Sequence, residues 1–330
     1  MIYDNKAKEL DYKDVFLVPQ YSEISSRKQV DTSSTITNSS SELVLPLDVP
    51  VFSANMDTCT NANMCISMYK AGGIGALHRF MSIEDNIQEY KKVKNWFAEC
   101  FVSVGVNEES KERAQSLFNV GARYFVIDIA HGHSRMMKDM LTWMRDTFGS
   151  SVIIMAGNVA TAIGSYDLTV WGSDLIKVGI GPGLVCLTKN VTGTTRPQFS
   201  AVKDCASATH LPIIADGGIQ EIGDICKAIG AGASYVMSGR LFAGCSEAPG
   251  SKDENGEKIY RGMASTDAML SIRKDDGSLP TPEGKSIKIL QVGSAKDVVK
   301  HIKGGLQSAM SYANSSNIKE FQEKAIFGIR

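Results

Sequence analysis

The chain has 330 residues, 43% of them hydrophobic and 8% aromatic, an ordinary globular composition. Its 35 Lys and Arg against 36 Asp and Glu leave a formal charge of −1. That excludes the basic surface needed for nonspecific nucleic-acid binding, while leaving room for a local pocket that holds one phosphate.

The seven cysteines, Cys59, Cys65, Cys100, Cys186, Cys205, Cys226 and Cys245, are odd in number and include no C-x-x-C pair. Neither a zinc site nor a disulfide framework is expected, and a reducing compartment is. No stretch resembles a signal peptide or spans a membrane, and Phe327-Gly328-Ile329-Arg330 carries no retention signal. The expectation is a cytoplasmic protein.

Residues 1–50 are polar, with a Ser/Thr-rich stretch from Thr32 to Ser41. Beyond them, short β-branched runs alternate with amphipathic segments. Strands are predicted at Val51–Ser53, Gly73–Leu77, Phe101–Val104, Tyr124–Ile129, Val152–Met155, Leu175–Val178, Pro212–Ala215 and Ser234–Met237. Helices are predicted at Ser82–Val93, Glu108–Phe118, Ser134–Phe148, Ala160–Trp171, Pro197–Thr209, Glu221–Ile229 and Ala295–Ala313. Ser82 is a natural N-cap, with Glu84 and Asp85 suited to the first turn.

Alternation alone also describes a doubly wound open sheet. Two features favour a (β/α)8 barrel. The strands number eight, and the chemistry-bearing residues all fall just after strands, positions that share one rim in a barrel. Residues 1–50 are expected to cross the barrel's far end or cover its rim. Residues 245–295, rich in Gly, Ser and charge, are too long for a plain connection and are expected to form an active-site loop or flap.

The most informative run is Lys177-Val178-Gly179-Ile180-Gly181-Pro182-Gly183-Leu184-Val185-Cys186-Leu187-Thr188. Its glycines let the backbone approach a ligand or ion closely, and Cys186 at its end is a candidate nucleophile. Taken singly, a free cysteine is more often buried and inert. Asp216-Gly217-Gly218 suits ribose hydroxyls, or alternatively a helix cap. Ser238-Gly239-Arg240 suits a phosphate, because helix-terminal amides and a guanidinium meet there. Asp128 can bind an amide, and Arg79 can hold charge near the site. His131 and His133 lack a third metal ligand. Glu283, taken alone, is an ordinary surface carboxylate.

With these motifs assembled, the sequence resembles the IMP dehydrogenase and GMP reductase family nearly end to end. The resemblance starts at Leu10-Asp11-Tyr12-Lys13-Asp14-Val15 and continues through Ser53-Ala54-Asn55-Met56-Asp57-Thr58 and the glycine–cysteine loop. It extends through Asp216-Gly217-Gly218 to Arg261-Gly262-Met263-Ala264-Ser265. Several features resemble the reductase branch: Asp128-Ile129-Ala130-His131-Gly132-His133-Ser134, Pro182, Ser26-Arg27-Lys28-Gln29-Val30-Asp31, Glu283-Gly284-Lys285, and the absence of a regulatory (CBS) insertion after Met81. Departures are Leu184 in place of a serine, Arg79 in place of a lysine, and a dehydrogenase-like Arg196-Pro197-Gln198.

The resemblance implies a single-domain (β/α)8 barrel over residues 1–330 that reductively deaminates GMP to IMP with NADPH. Cys186, Thr188 and Glu283 would be catalytic. Ser53, Asp216, Gly217, Gly218, Ser238, Gly239, Arg240, Gly262, Met263 and Ser265 would hold the nucleotide. Arg79, Asp128, Ala130, Asn158 and Gly179 would hold the cofactor, and the carbonyls of Gly181, Gly183 and Cys186 a K+ ion. A homotetramer is implied as well. The alternatives are an IMP dehydrogenase without regulatory domains, a related enzyme acting on another purine nucleotide, and a noncatalytic nucleotide sensor.

Overall fold

The structure is a computed structural model that describes residues 8–38, 40, 42–272 and 280–330. Its centre is a closed barrel of eight parallel strands. These are β1 (Val51–Ser53), β2 (Ile74–Leu77), β3 (Phe101–Val104), β4 (Tyr124–Asp128), β5 (Ile153–Val159), β6 (Leu175–Val178), β7 (Ile213–Asp216) and β8 (Tyr235–Ser238). They pair in chain order, and β8 closes on β1 with Val236 beside Val51.

Helices return the chain between strands: α1 (Ala62–Lys70), α2 (Ile83–Asn95), α3 (Glu108–Asn119), α4 (Arg135–Phe148), α5 (Ala162–Val170), α6 (Gln198–Ser207), α7 (Ile222–Gly230) and α8 (Ala295–Tyr312). The first five are N-capped by Asn61, Ser82, Asn107, Ser134 and Thr161, whose side chains accept a first-turn amide. No described helix is long and apolar enough to cross a membrane.

Each strand has two buried faces, which is why the strands read as near-continuous apolar runs. Phe52, Ile74, Phe101, Tyr124, Ile153, Leu175, Ile214 and Tyr235 fill the barrel interior. Their neighbours Val51, Val102, Phe125, Ile154, Ile176, Ile213 and Val236 pack outward with the helices. Ser34–Thr37 and Val44–Leu47 form an antiparallel hairpin whose Ile36, Leu45 and Leu47 join the interior cluster. The N-terminal region therefore plugs the barrel end where the strands begin, one of the two placements expected for it.

Phe101 lies 5.4 Å from Phe52 and 5.5 Å from Tyr124, ring centroid to centroid, and is fully buried. We expect Phe101→Ala to destabilise the fold by about 3–5 kcal/mol, because the cavity opens among rigid rings. A reduced midpoint in urea unfolding checks this.

Two boundaries differ from expectation in ways that matter. Strand β5 runs to Val159 with a register irregularity between Gly157 and Val159, so Asn158 lies within the strand and not after it. Residues 245–295 contain more than loop. Glu257–Arg261 pairs antiparallel with Ser286–Leu290, and Thr266–Ile272 is helical. The buried Lys258 ammonium donates to the Cys245 carbonyl at 3.1 Å, tying this hairpin to the chain just after β8. Residues 273–279 of the expected flap lie outside the described residues.

Candidate active site

Strand periodicity builds the floor of the site. Tyr124 and Val126 point into the barrel, and two residues on so does Asp128. By the same count Ile214 leads to Asp216 on β7, and Leu175 leads to Lys177 on β6. The Lys177 ammonium lies 2.7 Å from Asp128 Oδ1 and 2.6 Å from Asp216 Oδ2. Asn158 Nδ2 donates to the same Asp216 oxygen at 3.0 Å and to the Gly179 carbonyl at 2.7 Å.

Burial works against the charged form of Lys177, but Asp128 and Asp216 outweigh it and push its pKa up. Burial likewise opposes the Asp128 carboxylate, and Lys177, Arg79 and Asn55 outweigh it, holding its pKa below the ordinary value. Sequence reasoning missed Lys177. The period-two count from Leu175 was the signal that points to it.

The glycine–cysteine loop leaves β6 at Gly179, whose φ is +150°. A Cβ there would stand 1.9 Å from the Asp216 carbonyl oxygen, so this approach is open to glycine only. Pro182 of the loop rests on the Asp216-Gly217-Gly218 turn: a Cβ on Gly217 would lie 3.1 Å from Pro182 Cγ. The loop and the turn thus brace each other.

Cys186 is half-buried, whereas the other six cysteines are buried. Burial pushes the thiols of Cys59, Cys205, Cys226 and Cys245 up to about 12, which leaves them neutral and inert. Cys186 Sγ lies 3.2 Å from Thr188 Oγ1.

The hairpin region brings Glu283 to this loop. Gly284 forms a bridge with Cys186 on one side and with Ser265 on the other. The Leu187 amide donates to the Glu283 carbonyl at 2.7 Å, and the Lys285 amide to the Val185 carbonyl at 2.9 Å. Glu283 is itself partly exposed, and its amide donates to the Ala264 carbonyl at 3.0 Å. Arg261 grips Asp57, with Nε 3.0 Å from Oδ2, and the Asp57 amide donates to Met263 Sδ at 3.3 Å. This clamp between the hairpin and the loop after β1 also went unread in the sequence.

Ser238, Gly239 and Arg240, expected to hold the phosphate, lie at the end of β8, and Ser53, expected to hold the nucleotide, at the end of β1. Arg240 is exposed at the start of the short helix Arg240–Ala243. Both serine hydroxyls accept an internal hydrogen bond. Ser53 Oγ is fully buried and accepts from Thr60 Oγ1 at 2.9 Å, and Ser238 Oγ accepts from the Leu241 amide at 3.3 Å. The remaining candidates around the nucleotide, Gly262 and Ser265, are joined by a 2.9 Å hydrogen bond from the Ser265 amide. Ala130 is exposed on the loop after β4.

His133 Nε2 pairs with Asp167 at 2.7 Å, which accounts for that histidine without a metal. Among the described residues no group of three or more His, Cys, Asp or Glu is placed to hold a metal ion.

The profile of the IMP dehydrogenase / GMP reductase domain matches residues 9–330. The chain belongs to this family. It is 36% identical over 317 residues to a GMP reductase from Chromobacterium violaceum, covering 96% of each chain. It is 35% identical over 379 residues to an inosine-5'-monophosphate dehydrogenase from Cryptosporidium parvum, covering 98% of this chain and 92% of that one. Among solved structures, a cysteine-to-alanine variant of GMP reductase from Trypanosoma brucei, in complex with guanosine 5'-monophosphate, superposes with a TM-score of 0.89. The two are 28% identical, with 98% of this chain and 96% of that chain covered. Membership makes this barrel one of a family of oxidoreductases of purine nucleotides.

Proposed function

We propose that this protein is a GMP reductase, converting GMP, NADPH and protons to IMP, NADP+ and ammonium. The observation that supports the reading is the Cys186–Gly284 bridge, a backbone link that joins the Glu283-Gly284-Lys285 segment to the loop of a half-buried cysteine that contacts Thr188. A thiol beside a hydroxyl, with the backbone of a carboxylate-bearing residue joined to the same loop from far along the chain, suits a reaction that needs a nucleophile and a proton path.

The Cys186 thiolate attacks C2 of the base, forming a C–S bond. The amino group at C2 cannot leave as an amide ion, so it must be protonated and depart as ammonia. Thr188 and Glu283 form the relay that delivers this proton. The carbon then carries a thioimidate, and hydride addition to it expels Cys186 as thiolate and yields IMP. Asp216 receives the ribose hydroxyls, and Arg240 with the amides around Gly239 receives the phosphate.

NADPH, when bound, supplies the hydride. Asn158 Oδ1 and Arg79 Nε are buried and have no hydrogen-bond partner among the described residues. An acceptor and a donor left open near Asp128 fit a carboxamide. Arg79, Asp128, Ala130, Asn158 and Gly179 would hold it. The carbonyls of Gly181, Gly183 and Cys186 are offered to K+, with the Gly183 carbonyl also accepting the Cys186 amide at 3.1 Å. We further propose a cytoplasmic homotetramer, to be checked by light scattering.

The dehydrogenase-like Arg196-Pro197-Gln198 has a structural explanation. Arg196 pairs with Glu9 and Asp204 and donates to the Ala160 carbonyl at 3.0 Å. Gln198 Nε2 donates to the Val178 carbonyl at 2.8 Å, holding the end of β6. These contacts serve either branch of the family and give no preference to the dehydrogenase.

The test is an absorbance assay at the reduced-nicotinamide band, crossing GMP and IMP with both cofactors in both redox states. Loss of NADPH absorbance with GMP alone is the expected result. A rise with IMP and NAD+ would make the protein a dehydrogenase, and no change in any combination would make it a nucleotide sensor.

A further inference from the structure

We infer that Lys177 is a positioning residue that couples the nucleotide and cofactor sites through one shared ammonium, holding Asp128 and Asp216 separately posed for their ligands. The inference rests on the proposed reading, in which Asp216 meets the ribose and Asp128 the carboxamide.

The geometry is specific. Lys177 is buried, and its ammonium reaches one oxygen of each carboxylate, 2.7 Å to Asp128 and 2.6 Å to Asp216. The two acids come from β4 and β7, which do not pair with each other in the barrel, while β6 reaches β7 directly and β4 only across β5. The lysine therefore spans the interior at the rim. Asn158 on β5 makes a second link, tying Asp216 to the Gly179 carbonyl where the cysteine loop begins. Arg79 faces Asp128 from the loop after β2, and Tyr260 faces Asp216 from the hairpin, so each acid has a further neighbour of its own. Among the described residues it is the ammonium that bridges both acids.

Fold stability does not explain such a triad. Buried ion pairs rarely outperform a well-packed apolar replacement, because desolvation offsets their attraction. The layers of the barrel nearer the hairpin plug are filled by Phe, Ile, Leu and Tyr. A lysine and two acids occur where the strands end and the ligands arrive. Without the lysine, two carboxylates would face each other across the same space, and one would hold a proton to higher pH. Their repulsion would pull both acids off their ligands until that proton is taken up, and occupancy at one acid would alter the other.

The experiment measures GMP affinity by calorimetry on the full chain from about pH 5.5 to 8, as a ratio to wild type so that titration of the ligand phosphate cancels. The variants are Lys177→Met and Lys177→Met/Asp128→Asn. The single variant should bind GMP at least about tenfold more weakly at the alkaline end, as expected for a like-charge pair. Its deficit should shrink on acidification, as one carboxyl takes up a proton. The double variant should regain GMP affinity while NADPH affinity stays low, since neutralising Asp128 frees Asp216 but not the cofactor contact.

A double variant that binds GMP more weakly than the single one would overturn the coupling, as would a deficit that does not change with pH. Should Lys177→Met fail to fold, the double variant decides alone: retained GMP binding supports the inference and lost GMP binding overturns it. Absence of GMP binding by the wild type would instead overturn the reading of the site, and the coupling with it.

Discussion

Cys186→Ser should abolish turnover while leaving GMP bound. The substitution keeps the loop, since a hydroxyl fits where the thiol sits and can still meet Thr188 Oγ1, now 3.2 Å from Sγ. What it removes is the nucleophile, because a serine hydroxyl is scarcely ionised near neutral pH whereas a thiol reaches a reactive thiolate far more readily. Loss of a covalent nucleophile typically costs about 10⁴–10⁶-fold in turnover. The contacts assigned to the nucleotide come from other elements, at the ends of β1, β7 and β8 and in the hairpin, so calorimetry should find GMP affinity little changed. Substantial remaining turnover would remove the covalent mechanism, and loss of GMP binding would mean that the cysteine serves the loop's shape.

Glu283→Gln should separate the two halves of the reaction. The backbone at this residue is a strut, with the Glu283 carbonyl accepting from Leu187 at 2.7 Å and its amide donating to Ala264 at 3.0 Å. Glutamine preserves both bonds and the side-chain length, and deletes only the capacity to pass a proton. Loss of general acid–base help typically costs about 10²–10⁴-fold. Ammonia release from GMP should fall by that order. Hydride exchange between NADPH and an oxidised cofactor analogue in the presence of IMP involves no amine, and should survive far better. Thr188→Ala should show the same selectivity if the hydroxyl is the other half of the relay. Equal small losses in both rates for both variants would mean that this segment merely closes the site.

The barrel was legible because parallel strands covered on both faces are continuous apolar runs separated by amphipathic segments. What escaped did so for physical reasons. Helix α1, Ala62-Asn63-Met64-Cys65-Ile66-Ser67-Met68-Tyr69-Lys70, carries no charge before its last residue, so it lacks the polar face that marks a surface helix. In the hairpin the usual polarity is inverted: Lys258 is 4% exposed and Ile259 is 56% exposed, so alternation pointed to no buried strand face.

The candidate site was readable where glycine, cysteine and strand-end carboxylates cluster locally. It was unreadable where contacts depend on closure of the barrel. Asp57 and Arg261 are 204 residues apart, and Lys177 and Asp216 are 39 apart. Lys177 looks like a blemish in Leu175–Val178 until the strand's inward face is counted. Ser53 and Ser238 each accept an internal hydrogen bond, a partner that their place in the sequence does not announce.

In the proposed reaction hydride reaches the carbon from which ammonia has left. The most direct measurement uses NADPH deuterated at its transferring position, with GMP as substrate, followed by mass spectrometry and proton NMR of the nucleotide product. The expected product is IMP carrying deuterium at C2, formed in step with ammonia. Unlabelled IMP, or oxidation of the cofactor with no IMP formed, would contradict it.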